Sequence, residues 1–153
     1  MIKKSTRFIT KSPSQTEKIG RVLAEEILKT QYRKKNSFLL ALEGDLGGGK
    51  TTFLKGFAKG LGVRQKITSP TFLIMKRFPV PGSRFQNFYH FDCYRIKGSG
   101  DVLDLGFKDI IAGSENIIAV EWAEKIRKIL PKGIFLIKFE FIDKNTRKIN
   151  LAI

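Results

Sequence analysis

The amino-acid sequence predicts an α/β fold: a mixed, mainly parallel sheet that is flanked by helices and carries antiparallel hairpins. The continuous apolar run at residues 38–42 is typical of a strand buried on both faces of a parallel sheet. Apolar residues recur at helical spacing on both sides of this run. Turn-forming residues at 79–83 and 143–146 each separate two strand-like stretches. Buried strands with crossover helices, together with two hairpins, favour a mixed sheet.

Each element has its own local signal. Ser14 and Glu17 have the spacing of a capping box, and the apolar residues that follow predict a first helix over 15–31. The strand at 38–42 leads into a glycine-rich loop, and a second helix begins at Lys50 and stops at Gly62. The remaining elements are predicted as strands 71–78 and 84–91, a loop with a short helix at 98–113, strand 117–121, helix 122–130 before Pro131, and strands 133–142 and 147–153.

Length and composition predict one globular domain over residues 1–153. A hydrophobic fraction of 42% argues against disorder. No apolar run approaches the roughly 20 residues that a membrane helix needs, and no signal peptide is visible. Cys93 is the only cysteine, so an internal disulfide is excluded. We therefore expect a cytoplasmic protein, and neither a membrane protein nor a secreted disulfide scaffold.

The net charge is strongly positive. Lysine and arginine number 29 against 14 acidic residues, a formal net charge of +15. The excess lies before residue 37 and after residue 122, whereas the middle of the chain is nearly balanced. Such a surface attracts polyanions, tRNA among them, by long-range electrostatics. A lysine-rich surface that serves solubility explains the same charge, and both interpretations stay open.

Residues 44–51 match the P-loop pattern Gly-x-x-x-x-Gly-Lys-Ser/Thr. Gly47, Gly48 and Gly49 allow a tight turn that directs backbone N–H groups toward phosphate oxygens. The helix that begins at Lys50 adds its positive N-terminal end, and the lysine ammonium suits the β and γ phosphates. The hydroxyl of Thr51 is a ligand for Mg²⁺. The motif therefore predicts ATP and Mg²⁺ as ligands, in a P-loop NTPase-type fold.

Thr52 and two acidic residues complete the predicted site. Thr52 follows the motif and is expected to contact the α-phosphate through its amide or hydroxyl. Asp92 and Glu121 each end an apolar strand, at the sheet edge where ligands bind in α/β proteins. Either carboxylate could hold Mg²⁺ and arrange water. The alternative for both is a carboxylate that ends its strand in solvent and has no role in the site.

Five motifs follow one another along the chain: GDLGGGKTT at 44–52, TSPTF at 68–72, HFDCYR at 90–95, LG at 105–106 and VEW at 120–122. Together they resemble the TsaE (YjeE) family of bacterial P-loop ATPases. The resemblance extends over nearly the whole chain. One departure is Gly48, where the family usually has alanine; glycine there is expected to cost only backbone entropy.

The resemblance implies a role for each candidate residue. Lys50, Asp92 and Glu121 would be catalytic, with Asp92 as the Walker B-like acid and Thr51 and Glu121 as ligands of Mg²⁺. Trp122 would pack beside the nucleotide and Arg147 near the adenine. Residues 69–71 resemble a switch-like segment whose threonine senses the γ-phosphate or the metal. The residues themselves show no obvious activating arginine within the chain; Arg95 is one candidate, and a partner is the alternative source.

The resemblance also implies a pathway and partners. The family takes part in making threonylcarbamoyladenosine in tRNA. Its members act with a threonylcarbamoyl transferase subunit and a non-catalytic paralogue of that subunit, and are weak ATPases on their own. Two alternatives stay open on the residues alone. One is a small-molecule P-loop kinase, and the other is a basic RNA-binding module whose conformation is set by a bound nucleotide.

Overall fold

A computed structural model of the protein describes residues 4–30, 35–68 and 73–152. Within these ranges the chain forms seven strands, four α-helices and one 3-10 helix. The strands are β1 Ser5–Thr10, β2 Phe38–Gly44, β3 Met75–Pro79, β4 Asn87–Asp92, β5 Asn116–Glu121, β6 Phe135–Phe141 and β7 Arg147–Ala152. The helices are α1 Pro13–Lys29, α2 Lys50–Gly60, α3 Gly100–Leu103, α4 Phe107–Ala112 and the 3-10 helix Ala123–Ile129. In this part of the chain no helix is long and apolar enough to cross a membrane.

The described strands form one mixed sheet in the order β1-β7-β6-β2-β5-β4-β3. The central strands β6, β2, β5 and β4 are mutually parallel. The outer pairs, β1 with β7, β7 with β6, and β4 with β3, are antiparallel. The predicted α/β mixed sheet with hairpins is confirmed. Because the four parallel strands end at one edge, the segments that follow them meet there.

Both faces of the sheet are covered, which explains the continuous apolar run of β2. Leu40 and Leu42 face the helices α1 and α2, where they join a core that contains Phe53 and Phe57. Leu39 and Ala41 face the opposite side and pack in a second core. A strand buried on both faces needs apolar residues at every position. β2 therefore holds the loop that follows it in a fixed place.

The helices α1 and α2 approach each other through glycines. A Cβ atom on Gly56 would lie 1.8 Å from the backbone oxygen of Glu17, and one on Gly20 would lie 2.1 Å from that of Phe53. Only residues without a side chain permit this backbone-to-backbone contact. The contact fixes the start of α1 beside the start of α2, which carries Lys50 and Thr51.

The first strand and the first cap differ from the sequence prediction. β1 was not predicted, because its residues are mostly exposed and basic or polar, as is common for an edge strand. The N-cap of α1 is Ser12, and Ser14 lies inside the helix. The Ser12 hydroxyl accepts a hydrogen bond from the amide of Gln15 at 3.2 Å. Pro13 at the first helical position was the signal that marks this start.

Other boundaries shift by a few residues. α1 ends at Lys29, where Thr30 leaves the helical conformation. The predicted loop at 98–113 holds two short helices, and the predicted helix at 122–130 is a 3-10 helix. The predicted start of the strand at 71 and the end of the first helix at 31 lie outside the described residues.

Cys93 is a packing residue, as its isolation in the sequence suggested. Its side chain is fully buried in the second core. Burial raises the pKa of the Cys93 thiol to about 12, and the negative charge of Asp92 adds to the shift. The thiol therefore stays protonated and unreactive at neutral pH.

Candidate active site

The predicted site residues lie together at the edge where the parallel strands end. They line a pocket of about 480 Å³. Its walls are formed by Ser12, Pro13, Thr16, Leu46, Gly47, Gly48, Gly49, Lys50, Thr51, Thr52, Asp92, Tyr94, Glu121, Trp122, Lys144, Asn145 and Arg147. The predicted residues of the P-loop are among them, as are Asp92, Glu121, Trp122 and Arg147.

The glycines give the loop after β2 its shape. Gly47 and Gly49 have φ angles of 73° and 100°, a region that favours glycine. Gly49 is also the N-cap of α2, so the helix starts directly from the turn. A Cβ atom on Gly48 would lie 2.9 Å from the backbone oxygen of Asp45. Alanine at position 48 therefore requires the loop to shift, a steric cost that opposes the backbone entropy alanine would save.

Lys50 is buried within the loop. Its ammonium donates to the backbone oxygens of Gly44 at 2.7 Å and Asp45 at 2.8 Å. It also lies 4.0 Å from the centroid of the Trp122 ring, a cation–π contact. Burial lowers the pKa of Lys50, and the negative charge of Glu121 partly opposes that shift. A cation held by neutral oxygens and a ring face is suited to receive an anion.

Thr51 and Glu121 form the central polar contact of the site. The Thr51 hydroxyl donates to Glu121 Oε1 at 2.7 Å. The second carboxylate oxygen, Oε2, lies 2.6 Å from His90 Nε2. Glu121 is only 2% exposed, because β5 is an interior strand. The sequence predicted Glu121 as a site residue, whereas His90 was not among the predicted site residues.

Asp92 occupies a different position from Glu121, although the two are register partners on neighbouring strands. β5 lies beside the loop-bearing strand β2, whereas β4 is one strand further out. Asp92 Oδ1 accepts a hydrogen bond from the amide of Tyr94 at 3.0 Å. The geometry therefore separates the two acids: Glu121 contacts Thr51, and Asp92 lies beyond it on the same edge.

Trp122 follows Glu121 in the left-handed conformation, with a φ of 58° that non-glycine residues rarely adopt. Its ring lies 5.0 Å from that of Tyr94 between centroids. This turn places the indole on the pocket wall, over the ammonium of Lys50.

Arg147 opens β7 and reaches across to the loop. Its Nε donates to the backbone oxygen of Gly47 at 2.7 Å, and its Nη1 donates to that of Asp143 at 2.6 Å. Arg147 thus joins the hairpin between β6 and β7 to the glycine loop. Lys144 and Asn145 from the same hairpin also line the pocket.

Sequence reasoning missed the pocket residues that depend on distant pairing. Ser12 and Thr16 reach the pocket because β1 pairs with β7 and leads into α1. Thr16 is buried and shares a hydrogen bond of 2.8 Å with the hydroxyl of Thr10. The only local signal was the Ser12–Pro13 helix start. Arg95 does not line the pocket within the described ranges, and the switch-like residues 69–71 lie outside them.

The oxygen atoms of the site suit Mg²⁺. One hydroxyl and one carboxylate, from Thr51 and Glu121, lie in contact beside the loop. Among the described residues no group of three or more His, Cys, Asp or Glu side chains could hold a metal ion on its own. Mg²⁺ in nucleotide sites is held by one or two protein oxygens together with substrate phosphates and water. The residues present therefore fit a metal that arrives with a nucleotide.

A buried strand, a glycine loop and a helix that starts with Lys-Thr, beside an acid on the neighbouring parallel strand, define a P-loop NTPase-type protein. The family model described as threonylcarbamoyl adenosine biosynthesis protein TsaE matches residues 10–149. The chain belongs to the TsaE family.

Known relatives agree with this assignment. The TsaE protein of Haemophilus influenzae is 32% identical over 134 residues, which are 88% of this chain and 80% of that protein. The TsaE protein of Bacillus subtilis is 37% identical over 129 residues, 84% of this chain and 73% of that protein. The crystal structure of YdiB from Bacillus subtilis matches with a TM-score of 0.72 at 32% identity, over 99% of this chain and 87% of that one.

Proposed function

We propose that this protein is the ATP-binding and ATP-hydrolysing component of the machinery that makes threonylcarbamoyladenosine in tRNA. The observation that carries the proposal is the 2.7 Å hydrogen bond from Thr51 to Glu121 at the start of α2. This bond joins the P-loop to a buried acid, in the arrangement that a Mg²⁺-dependent nucleotide hydrolase requires. The family assignment supports the pathway, because its model and relatives carry that name.

The loop between β2 and α2 would bind the phosphates of ATP. The amides of Gly47, Gly48 and Gly49 and the N-terminus of α2 bind the phosphates, and Thr52 contacts the α-phosphate. Lys50 turns from its carbonyl partners to the β and γ phosphates. It stabilises the charge that develops on the transferring phosphoryl group.

Thr51 and Glu121 would hold Mg²⁺ through the hydroxyl and the carboxylate. When bound, this ion neutralises charge on the β and γ phosphates. Asp92, the register partner of Glu121, orients water at the same edge. Trp122 covers one side of the nucleotide, and Arg147 keeps the hairpin against the loop. Water is the nucleophile, and ATP is cleaved at its γ-phosphate.

The proposed partners are the threonylcarbamoyl transferase subunit and its non-catalytic paralogue, in the cytoplasm. An arginine from a partner would raise a slow basal rate. The net charge of +15 is compatible with direct contact to tRNA.

A hydrolysis assay tests this function. Phosphate release is measured for the wild type, Lys50→Ala and the control Lys66→Ala, alone and with the transferase heterodimer. Lys66 is exposed and lies outside the pocket walls. We expect slow turnover alone, faster turnover with the heterodimer, a loss of about 100-fold or more in Lys50→Ala, and no change in Lys66→Ala.

Three outcomes would contradict the proposal. In the first, Lys50→Ala keeps wild-type turnover. In the second, the heterodimer has no effect on the rate. In the third, the γ-phosphate is recovered on a small-molecule acceptor instead of as inorganic phosphate, which identifies a kinase. Salt-sensitive RNA binding that survives Lys50→Ala, without hydrolysis, would favour the basic RNA-binding module.

A further inference from the structure

His90, the only histidine of the chain, lies behind the proposed metal ligand. It is in β4, and its side chain is 1% exposed against 3% for that of Glu121 on the neighbouring strand. The imidazole Nε2 and the carboxylate Oε2 are 2.6 Å apart. Glu121 lines the pocket, whereas His90 is not among the pocket residues of the described chain. His90 therefore reaches the site only through Glu121.

The direction of this hydrogen bond follows from its acceptor. An ionised carboxylate can only accept, so the proton of the imidazole lies on Nε2. The other nitrogen, Nδ1, is buried and has no hydrogen-bond partner among the described residues. A protonated Nδ1 would leave an N–H donor buried without an acceptor, which is costlier than a free lone pair. The contacts therefore place a proton on Nε2, facing Glu121.

Both oxygens of Glu121 then have one donor each. Oε1 accepts from Thr51, and Oε2 accepts from His90. Buried polar pairs add little net stability compared with apolar residues of the same size. The main effect of the bond from His90 is therefore to orient the Glu121 carboxylate. A carboxylate anchored at Oε2 cannot rotate its other oxygen away from the Thr51 hydroxyl.

We propose that His90 is a positioning residue for the Mg²⁺ site. Its Nε2–H holds the Glu121 carboxylate in the one rotamer that keeps Oε1 at Thr51. This role rests on the proposed function, since it gives Glu121 the orientation that a metal ligand needs. Groups that orient metal ligands in this way commonly change metal affinity or activity by about 10- to 100-fold when removed.

Three substitutions of His90 test whether this residue acts as a hydrogen-bond donor or only fills space. His90→Gln presents an amide N–H near the position of Nε2, whereas the shorter His90→Asn places its amide near Nδ1. His90→Leu has no donor. We expect the glutamine variant to keep turnover within about three-fold of the wild type. The asparagine and leucine variants should lose about 10-fold or more and need more Mg²⁺ for half-maximal rate.

Two measurements accompany the assay. ATP binding without Mg²⁺ should be unchanged in all three variants, and thermal unfolding reports whether each one folds. Asn116→Ala is the control for general destabilisation, because it removes a buried amide at the opposite end of β5 from Glu121. It should lower the unfolding temperature and leave the Mg²⁺ requirement as in the wild type.

Nitrogen NMR of the single imidazole gives a readout that needs no turnover. We expect a protonated Nε2 whose proton is protected from exchange, and loss of that protection in Glu121→Ala. A ring with no proton on Nε2 would overturn the proposal. So would a folded His90→Leu with wild-type Mg²⁺ dependence, or a folded His90→Gln no faster than His90→Asn. Absence of ATP turnover in the wild type would instead refute the proposed function, and the NMR signal would still decide the His90–Glu121 bond.

Discussion

Alanine at Gly56 is expected to destabilise the fold by about 3 kcal/mol, the upper range for an overpacked core. In an exposed helix the same change stabilises by about 0.5–1 kcal/mol, so the expected sign is reversed. The reason is the distance of 1.8 Å between a Cβ at this position and the backbone oxygen of Glu17. Neither backbone can yield without separating α1 from α2 and opening the core around Phe53 and Phe57.

Urea denaturation of the wild type, Gly56→Ala and Gly100→Ala measures this effect. Gly100 is a matched control, since it is also helical and a Cβ there would meet nothing within 4 Å. We expect Gly100→Ala to be as stable as the wild type or slightly more so. A Gly56→Ala protein with wild-type stability would mean that the two helices are not in backbone contact.

Replacing Glu121 by glutamine is expected to lower Mg²⁺-dependent ATP hydrolysis by about 100-fold, the size often lost when one stabilising group is removed from an active site. The substitution keeps the shape of the side chain but removes the charge that would hold Mg²⁺. The amide oxygen can accept from His90 Nε2–H, and the amide N–H₂ can donate to the Thr51 hydroxyl, which is able to accept as well as donate. The substitution therefore reverses the bond to Thr51, and the main loss is the negative charge.

The rate is measured at saturating ATP over a range of Mg²⁺ concentrations, with ATP affinity measured separately in the absence of the metal. Glu26→Gln is the control, because Glu26 is an exposed residue near the end of α1 that does not line the pocket. It should behave as the wild type. An unchanged rate in Glu121→Gln, or a loss of ATP affinity that is equal with and without Mg²⁺, would exclude Glu121 as the metal ligand.

The part of the site that could be predicted from sequence is the part built from contiguous residues. Residues 44–52 specify a strand end, a turn and a helix start, so the loop, Lys50 and Thr51 follow from local chemistry. Glu121 was predicted because it ends an apolar strand, and such strands share an edge in parallel sheets. Asp92 ends an apolar strand in the same way, and only the strand order distinguishes the two acids, because it places β5 and not β4 beside β2.

The rest depends on contacts between distant parts of the chain. β1 carries little hydrophobic signal because it is an edge strand, and its partner β7 lies at the other end of the sequence. The pocket residues Ser12 and Thr16 were missed for the same reason. The bond between His90 and Glu121 needs β4 and β5 in one register, with His90 opposite Ala119. Neither the spacing of these residues in the sequence nor their types predict the register of β4 against β5.

Calorimetric titration of ATP with Mg²⁺ into the wild type and Lys50→Ala tests the central claim, that the loop between β2 and α2 is an ATP site. The account predicts one ATP per chain for the wild type. In Lys50→Ala it predicts binding weakened by at least about 10-fold, the loss of one charge-assisted contact to phosphate. Within the described part of the chain the Lys50 ammonium binds two backbone oxygens and contacts the Trp122 ring, so the variant should remain folded. Wild-type protein that binds no ATP, or a folded Lys50→Ala that binds it equally well, would contradict the account.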